Sequence, residues 1–425
     1  MFMTRRAMIR DGLLSVSAGM IIPSVFARAV RAAQNAAAEG ASWAQAAQNR
    51  TLIVVQMAGG NDGLNTIVPY TDPNYHHLRP SLALGASDVL PLNDHGLAMH
   101  ASMKSLVPFW QKGKLAIVEG VGYPDSSLSH FQAMDIWQTL DLQGTGSTGW
   151  LGKYVSGLVD QDGHPFKSLA MGSTLPMALQ ALNANVPVVS TPQTYRVLPD
   201  PATPKDTQSP QDQRLQALLK LYNTYPKSAP YAALLDATAQ TATQGAKALA
   251  DTSAQYKAAV TYPKTNLAAG LQVMAEVIAN GLGLRVGYVT LGGFDTHADQ
   301  LTTQASLLAE LSDALAAFYA DLTAHNVADN VVIMTWSEFG RRVLENGSAG
   351  TDHGTAAPLF VLGNAVTGGL YGEPPDLTNL DTYGNLKFGV DFRSVYATVL
   401  DRWLGAPSAA VLGGDYGEQT FLPSA

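Results

Sequence analysis

The stretch Thr51-Leu-Ile-Val-Val-Gln-Met57, running straight into Ala58-Gly59-Gly60-Asn61-Asp62-Gly63, decides the fold. A strand with one wet face alternates apolar and polar side chains. This one is apolar almost throughout and rich in β-branched residues. Such a run fits a strand of a parallel sheet covered on both faces, and the Gly-Gly-Asn-Asp-Gly that stops it reads as a turn.

The same pattern recurs along the chain. Lys114-Leu-Ala-Ile-Val-Glu-Gly-Val121 is a second strand. It passes through Gly122-Tyr-Pro-Asp-Ser-Ser-Leu to Ser129-His130-Phe131, where a helical pattern from Gln132 to Thr139 opens. Before it, His100 to Trp110 reads as a helix with Met103, Leu106, Val107 and Trp110 on one side. Arg285-Val-Gly-Tyr-Val-Thr-Leu291 leads to Gly292-Gly293-Phe294-Asp295-Thr296-His297, then to an amphipathic helix from about Gln300 to His325. Asn330-Val-Val-Ile-Met-Thr-Trp336 delivers Ser337-Glu338-Phe339-Gly340-Arg341-Arg342, and Asp352-His353-Gly354-Thr355 precedes the strand Pro358-Leu-Phe-Val-Leu-Gly363.

Strand–helix alternation at this spacing predicts an α/β domain with a doubly wound, mostly parallel sheet and helices on both faces. From about Thr174 to Gly283 the composition turns to Ala, Gln, Thr and Pro, and Gln213–Tyr222 and Ala232–Ala259 have helical texture. A mostly helical insertion at 174–283 is therefore expected within a domain spanning 51–406. A flexible leader at 34–50 precedes the domain and a C-terminal tail at 407–425 follows it.

Composition bounds the chemistry. The 425 residues contain no cysteine, which excludes disulfides, thiolate metal sites and a cysteine nucleophile. With 46% hydrophobic and 14% charged residues the chain is too apolar to be disordered. Its net charge of −8 gives no basic face for nucleic-acid phosphates.

That charge is unevenly placed. Residues 1–33 carry Arg5, Arg6, Arg10, Arg28 and Arg31 against Asp11 alone, a local +4, so the rest of the chain carries −12. Thr4-Arg5-Arg6-Ala7-Met8-Ile9-Arg10 is a twin-arginine pattern, followed by a moderately apolar stretch from Gly12 to Phe26 and then small residues. The expectation is a removable signal at 1–33 that engages the twin-arginine translocation machinery and sends the folded protein to the periplasm or beyond. The apolar stretch, interrupted by Gly19 and Pro23, is short for a membrane span, and no stable membrane anchor is expected.

Polar clusters fall beside the strand ends, where open α/β sheets place ligands. They are Asn61-Asp62, Ser129-His130, Asp295 with His297, Glu338, and Asp352-His353. Carboxylates and imidazoles converging at one sheet edge would repel as bare anions but suit a divalent metal. Oxygen and nitrogen donors without thiolate point to Zn, Mn, Mg or Ca. Each piece also has a plain reading. Asp62 suits an Asx turn, Ser129 a helix cap, and Glu338 an ion pair with Arg341 or Arg342 on a solvated helix. There is no Gly-x-Ser-x-Gly elbow, and Gly144-Thr-Gly-Ser-Thr-Gly149 is followed by Trp150 rather than the lysine of a phosphate loop.

Taken in order, Gly59-Gly-Asn-Asp-Gly-Leu-Asn65, Ser129-His-Phe131, Phe294-Asp-Thr-His297, Ser337-Glu-Phe-Gly-Arg341 and Asp352-His-Gly354 closely resemble an exported bacterial family catalogued as domain of unknown function fifteen-oh-one. Gly368-Gly-Leu-Tyr-Gly372 and Asp391-Phe-Arg-Ser-Val-Tyr396 look like the same family, so the resemblance covers nearly all of residues 50–406. The family in turn is similar to the alkaline phosphatase and sulfatase superfamily, which implies a hydrolase of phosphate or sulfate esters with one or two divalent metals. By that resemblance Asp62 is a first metal ligand and Ser129 the nucleophile. Asp295 with His297 would share one metal, and His353 would be the last metal-binding histidine. Glu338 stands where the superfamily has an Asp-His pair, and Phe339 cannot ligate; His130 would supply the missing nitrogen. The departure at Glu338 and Phe339 keeps open a second class of function, a non-catalytic exported binding or assembly protein on the same fold.

Overall fold

The computed structural model describes residues 49–158, 164, 166–181, 184, 186–190, 220, 245, 248–249, 251–252 and 255–423. The twin-arginine segment and most of the helical texture read between Gln213 and Ala259 lie outside the described residues.

Twelve described strands form two sheets. The smaller is antiparallel, with β4 (Leu97–His100) between β2 (Ile67–Val68) and β3 (Val89–Asp94). The larger contains β1 (Thr51–Ala58), β5 (Leu115–Gly122), β6 (Ser168–Met171), β7 (Val188–Val189), β8 (Val286–Gly292), β9 (Val331–Trp336), β10 (Ala357–Leu362), β11 (Gly369–Tyr371) and β12 (Val390–Asp391). Its spatial order is β11-β5-β10-β9-β1-β8-β6-β7, with β12 paired to β5. β1 lies at the centre, parallel to β8 and β9, with Val54 beside Tyr288 and Met334. β10 is antiparallel to both β9 and β5. All other pairings in this sheet are parallel.

The side chains of β1 show why its sequence does not alternate. Leu52 and Val54 point into one apolar layer, with Trp137, Trp150, Tyr396 and Leu400. Ile53, Val55 and Met57 point into the other, with Leu271, Met274, Leu311 and Phe318. Helices Asn266–Ala279 and Gln300–Ala324 cover the second face, and His130–Thr139, Trp150–Ser156 and Phe392–Thr398 supply the first. Both faces are dry, so every position of the strand wants an apolar side chain. Truncating fully buried Ile53 or Leu52 to Ala would cost about 2–5 kcal/mol.

The helix read over His100 to Trp110 is two shorter pieces. A 3₁₀ segment, Ala101–Leu106, turns into an α-helix at Val107–Gln111, with Met103 at φ −90°, ψ 20° marking the kink. Pro108 cannot donate a backbone N–H to the preceding turn, so it sits at the start of a new helix. Beyond residue 407 the chain stays on the core, where Val411, Leu412, Phe421 and Leu422 are buried in the first apolar layer.

Candidate metal centre

Chain direction brings the polar clusters together. β1, β5, β8 and β9 run in parallel, so the residues that follow them, from Gly59, Tyr123, Gly293 and Ser337 onward, share one edge of the sheet. β10 runs the other way, so the residues before it reach that same edge, and with them His353. Helix His130–Thr139 is pinned to the sheet by Trp137, which stacks on Trp336 at 5.3 Å and on Phe392 at 4.5 Å. That packing sets the position of His130 at the helix start.

Three histidines surround Asp295. Oδ1 of Asp295 lies 3.0 Å from Nε2 of His297, 3.2 Å from Nε2 of His353 and 3.5 Å from Nε2 of His130. The ligating atoms of His130, Asp295 and His353 all fall within 4.8 Å of one another. Nε2 of His297 is 3.0 Å from Nε2 of His353. Phe339 closes the floor, its ring 4.8 Å from that of His130 and 4.6 Å from that of His353.

The other ring nitrogen of each histidine decides what Nε2 presents. Nδ1 of His353 is 2.7 Å from the Leu128 carbonyl, which can only accept. Nδ1 of His130 is 2.8 Å from Oε1 of Glu338, and Nδ1 of His297 is 3.3 Å from Oδ1 of Asp352. Each neutral ring therefore places its proton on Nδ1 and a lone pair on Nε2. Nε2 of His130 is buried without a hydrogen-bond partner. Three lone pairs and a carboxylate oxygen face one another, and the Arg341 guanidinium, 2.7 Å from Asp295 Oδ1 and 3.4 Å from His297 Nε2, supplies part of the positive charge that holds them together. The pairwise separations of 3.0–3.2 Å among His297, His353 and Asp295 approach the ~3.3 Å edge of a tetrahedron with 2.0–2.1 Å metal bonds. Asp295 and His353, with His297 or His130 as a third ligand, fit one divalent ion.

The second-layer contacts hold this arrangement. Glu338 is buried, and its Oε1 also accepts from the Gly59 amide at 2.8 Å. Gly59 has φ +121°, and a Cβ there would meet the Asp295 amide nitrogen at 2.4 Å, so only glycine allows the β1 and β8 loops to pack this closely. Arg341, 1% exposed, donates to the carbonyls of Gly59, Gly60, Thr351 and Phe294 and to Oδ1 of Asp295 at 2.7 Å. Burial tends to raise the Asp295 pKa, but the Arg341 and His353 hydrogen bonds and the nearby positive charge outweigh it and bring it to about 2. Burial pushes the His353 pKa below the ordinary imidazole value, which keeps that ring neutral.

Of the residues expected at the site, Asp295, His297, His353, His130 and Glu338 come together, Glu338 as the partner of His130. Asp62 is placed otherwise. It is fully buried and forms an ion pair with Arg79 at 2.6 Å on Oδ2, which also accepts from Gln300. The loop that carries it is further tied down by Gln304, which reaches Asn61 and Thr66. Ser129 caps the helix through its backbone but not through its side chain, and it is exposed. Its two neighbours belong to the cluster, Leu128 through its carbonyl and His130 through its ring. Ser129 thus stands at the helix start, between two residues of the cluster. The solvated helix considered for Glu338 and Arg341 does not form, because both are buried in a loop. Sequence reading missed the roles of Arg341 and Arg79. A run of two arginines gives no sign of which one points inward.

Solved structures with a similar chain path include the PsFucS1 sulfatase from Pseudoalteromonas sp., at 12% identity over 94% of this chain and 77% of that one, TM-score 0.39. The C-terminal periplasmic domain of EcEptC from Escherichia coli aligns at 10% identity over 89% and 90%, TM-score 0.36. The alkaline phosphatase from the Antarctic bacterium TAB5 aligns at 9% identity over 76% and 94%, TM-score 0.32. No curated protein matches the sequence. Residues 114–412, which include every residue of the cluster from Leu128 to His353, match the family of proteins of unknown function DUF1501, and the chain belongs to that family.

Proposed function

We propose that the protein is an exported, metal-dependent hydrolase of phosphate or sulfate esters. The observation that carries the reading is the convergence of three Nε2 lone pairs on Asp295 Oδ1, with every Nδ1 proton already committed elsewhere. His130, Asp295 and His353, with His297 beside them, would hold a single divalent ion. Such an ion lowers the pKa of a bound water or hydroxyl and neutralises charge on an ester oxygen.

The chain's own residues account for the rest. The exposed Ser129 hydroxyl is the nucleophile, and the free amides that start helix His130–Thr139 bind the anionic oxygens of the ester. Glu338 orients His130, Asp352 orients His297, and the Leu128 carbonyl orients His353. Arg341 offsets the Asp295 charge. Export through the twin-arginine machinery follows from Arg5-Arg6 and the apolar stretch behind them. No described helix is long and apolar enough to cross a membrane.

The test is elemental analysis of protein purified without chelator, followed by assays on aryl phosphates and aryl sulfates. Bound metal and turnover are expected, and Ser129→Ala should lower turnover on the order of 10³-fold or more while leaving the metal in place. Protein that stays metal-free and inert with added Zn, Mn or Ca would overturn the reading.

One observation favours a second reading, a non-catalytic exported binding or assembly protein. A guanidinium already occupies Asp295 Oδ1, and Oδ2 of Asp62 is committed to Arg79 and Gln300 away from the histidine cluster. Unchanged phenotype in a Ser129→Ala strain would support this reading, and turnover abolished by that substitution would remove it.

A further inference from the structure

A second polar feature lies outside the histidine cluster. Glu119 sits in the middle of β5, a strand otherwise buried and apolar up to that point. It is 5% exposed, and its Oε1 has no hydrogen-bond partner. The pairing between β5 and β10 slips by one residue here: Val118 faces Leu359 and Val121 faces Ala357. Gly120 takes φ +63°, a left-handed conformation that suits glycine at a β-bulge. A bulge re-aims the side chain next to it.

Glu119 lines a cavity of about 200 Å³ at the side of the sheet. Its apolar wall comes from Leu64, Ile67, Pro374, Pro375, Leu386 and Phe388. The other charged groups on the lining are Glu373, Asp376 and Lys387. Nζ of Lys387 is 2.6 Å from Oδ1 of Asn379 and leaves the Glu119 Oε1 unpaired. The balance of the lining is negative. Among the described residues, the grouping of His and carboxylate donors with metal spacing is His130, Asp295 and His353, so Glu119 lacks the companions that an ion needs.

An apolar wall with one buried, unpaired carboxylate matches a ligand with an apolar body and a single cationic head. We infer that this cavity binds an organic primary ammonium, with the nitrogen on the Glu119 carboxylate and the hydrocarbon against Phe388 and Leu386. Burial raises the Glu119 pKa to about 8, so the empty cavity holds the neutral acid near pH 7 and the bound ammonium holds the carboxylate. Binding then releases a proton.

The test uses the full chain and small probes, read by calorimetry and ligand-observed NMR at pH 7. Benzylammonium should bind about tenfold or more tighter than benzyl alcohol, which has nearly the same shape without the charge. Calorimetry in two buffers of different ionisation enthalpy should show the released proton. Glu119→Gln, which keeps the shape and removes the charge, should erase the preference for the ammonium. Equal affinity for the two probes, tighter binding of the alcohol, or a preference that survives Glu119→Gln would overturn the proposal. So would calcium binding that Glu119→Gln abolishes, which would assign the cavity to an ion. The comparison of probes on the unmodified protein decides the matter even without the variant. None of these readouts depends on ester hydrolysis or on the histidine cluster.

Discussion

Nε2 of His297 and Nε2 of His353 stand 3.0 Å apart, and each ring has its Nδ1 directed at an acceptor of its own. Two neutral imidazoles with lone pairs at that distance need positive charge close by, and the Arg341 guanidinium, 3.4 Å from Nε2 of His297, supplies only part of it. A shared ion satisfies the geometry, and so does a single proton. The two cases respond differently to solution conditions.

If an ion is shared, its affinity depends on the partners that hold each ring. Glu338→Gln weakens the orientation of His130 and should lower zinc affinity about 10–100-fold. Isothermal titration of the chelator-stripped protein reads the change directly. Affinity that is unchanged in Glu338→Gln would place His130 outside the metal's ligands.

The Asp62–Arg79 pair is a matter of stability. Both side chains are fully buried, and Arg79 also donates to Asn65 and to the carbonyls of Val343 and Arg342. Arg79→Ala leaves an uncompensated carboxylate in the interior and should cost about 3–5 kcal/mol in urea unfolding. A loss under about 1 kcal/mol would show that water reaches Asp62 in the folded state.

Asp295 makes stability depend on acid. Its folded pKa of about 2 lies below the ordinary 3.8, so its ion pairs stabilise the fold above the unfolded value and are lost as pH falls from about 4 to about 2. Measured with chelator present, the Tm advantage of the wild type over Asp295→Asn should shrink as pH falls from about 4 towards about 2. A gap that does not narrow would contradict the charge assignment.

Glu119 should behave in the opposite sense. Its pKa is raised from 4.5 to about 8, because burial disfavours the carboxylate. The folded state therefore loses stability relative to the unfolded chain as pH rises between those values. The Tm of the wild type should fall relative to Glu119→Gln across that window and level off on either side. A difference independent of pH would show that the carboxylate is hydrated.

Much of the architecture was legible in the sequence because burial leaves a local mark. The near-continuous apolar runs of β1, β8 and β9 announce mostly buried strands, and the polar residues at their ends announce the edge where the cluster gathers. Asp295, His297 and His353 could be named for that reason. Direction and long-range pairing leave no such mark. That β10 runs against its neighbours, and so delivers His353 from its leading end to meet residues trailing β8, follows from hydrogen bonding between strands far apart in the chain. The same holds for the choice between Asp62 and Asp295. Both follow a strand and a pair of glycines, yet one is closed off by Arg79, 17 positions away in sequence, and the other is left half-open among three histidines. Residue type sets what each side chain can do, and packing between distant segments decides which of them meet.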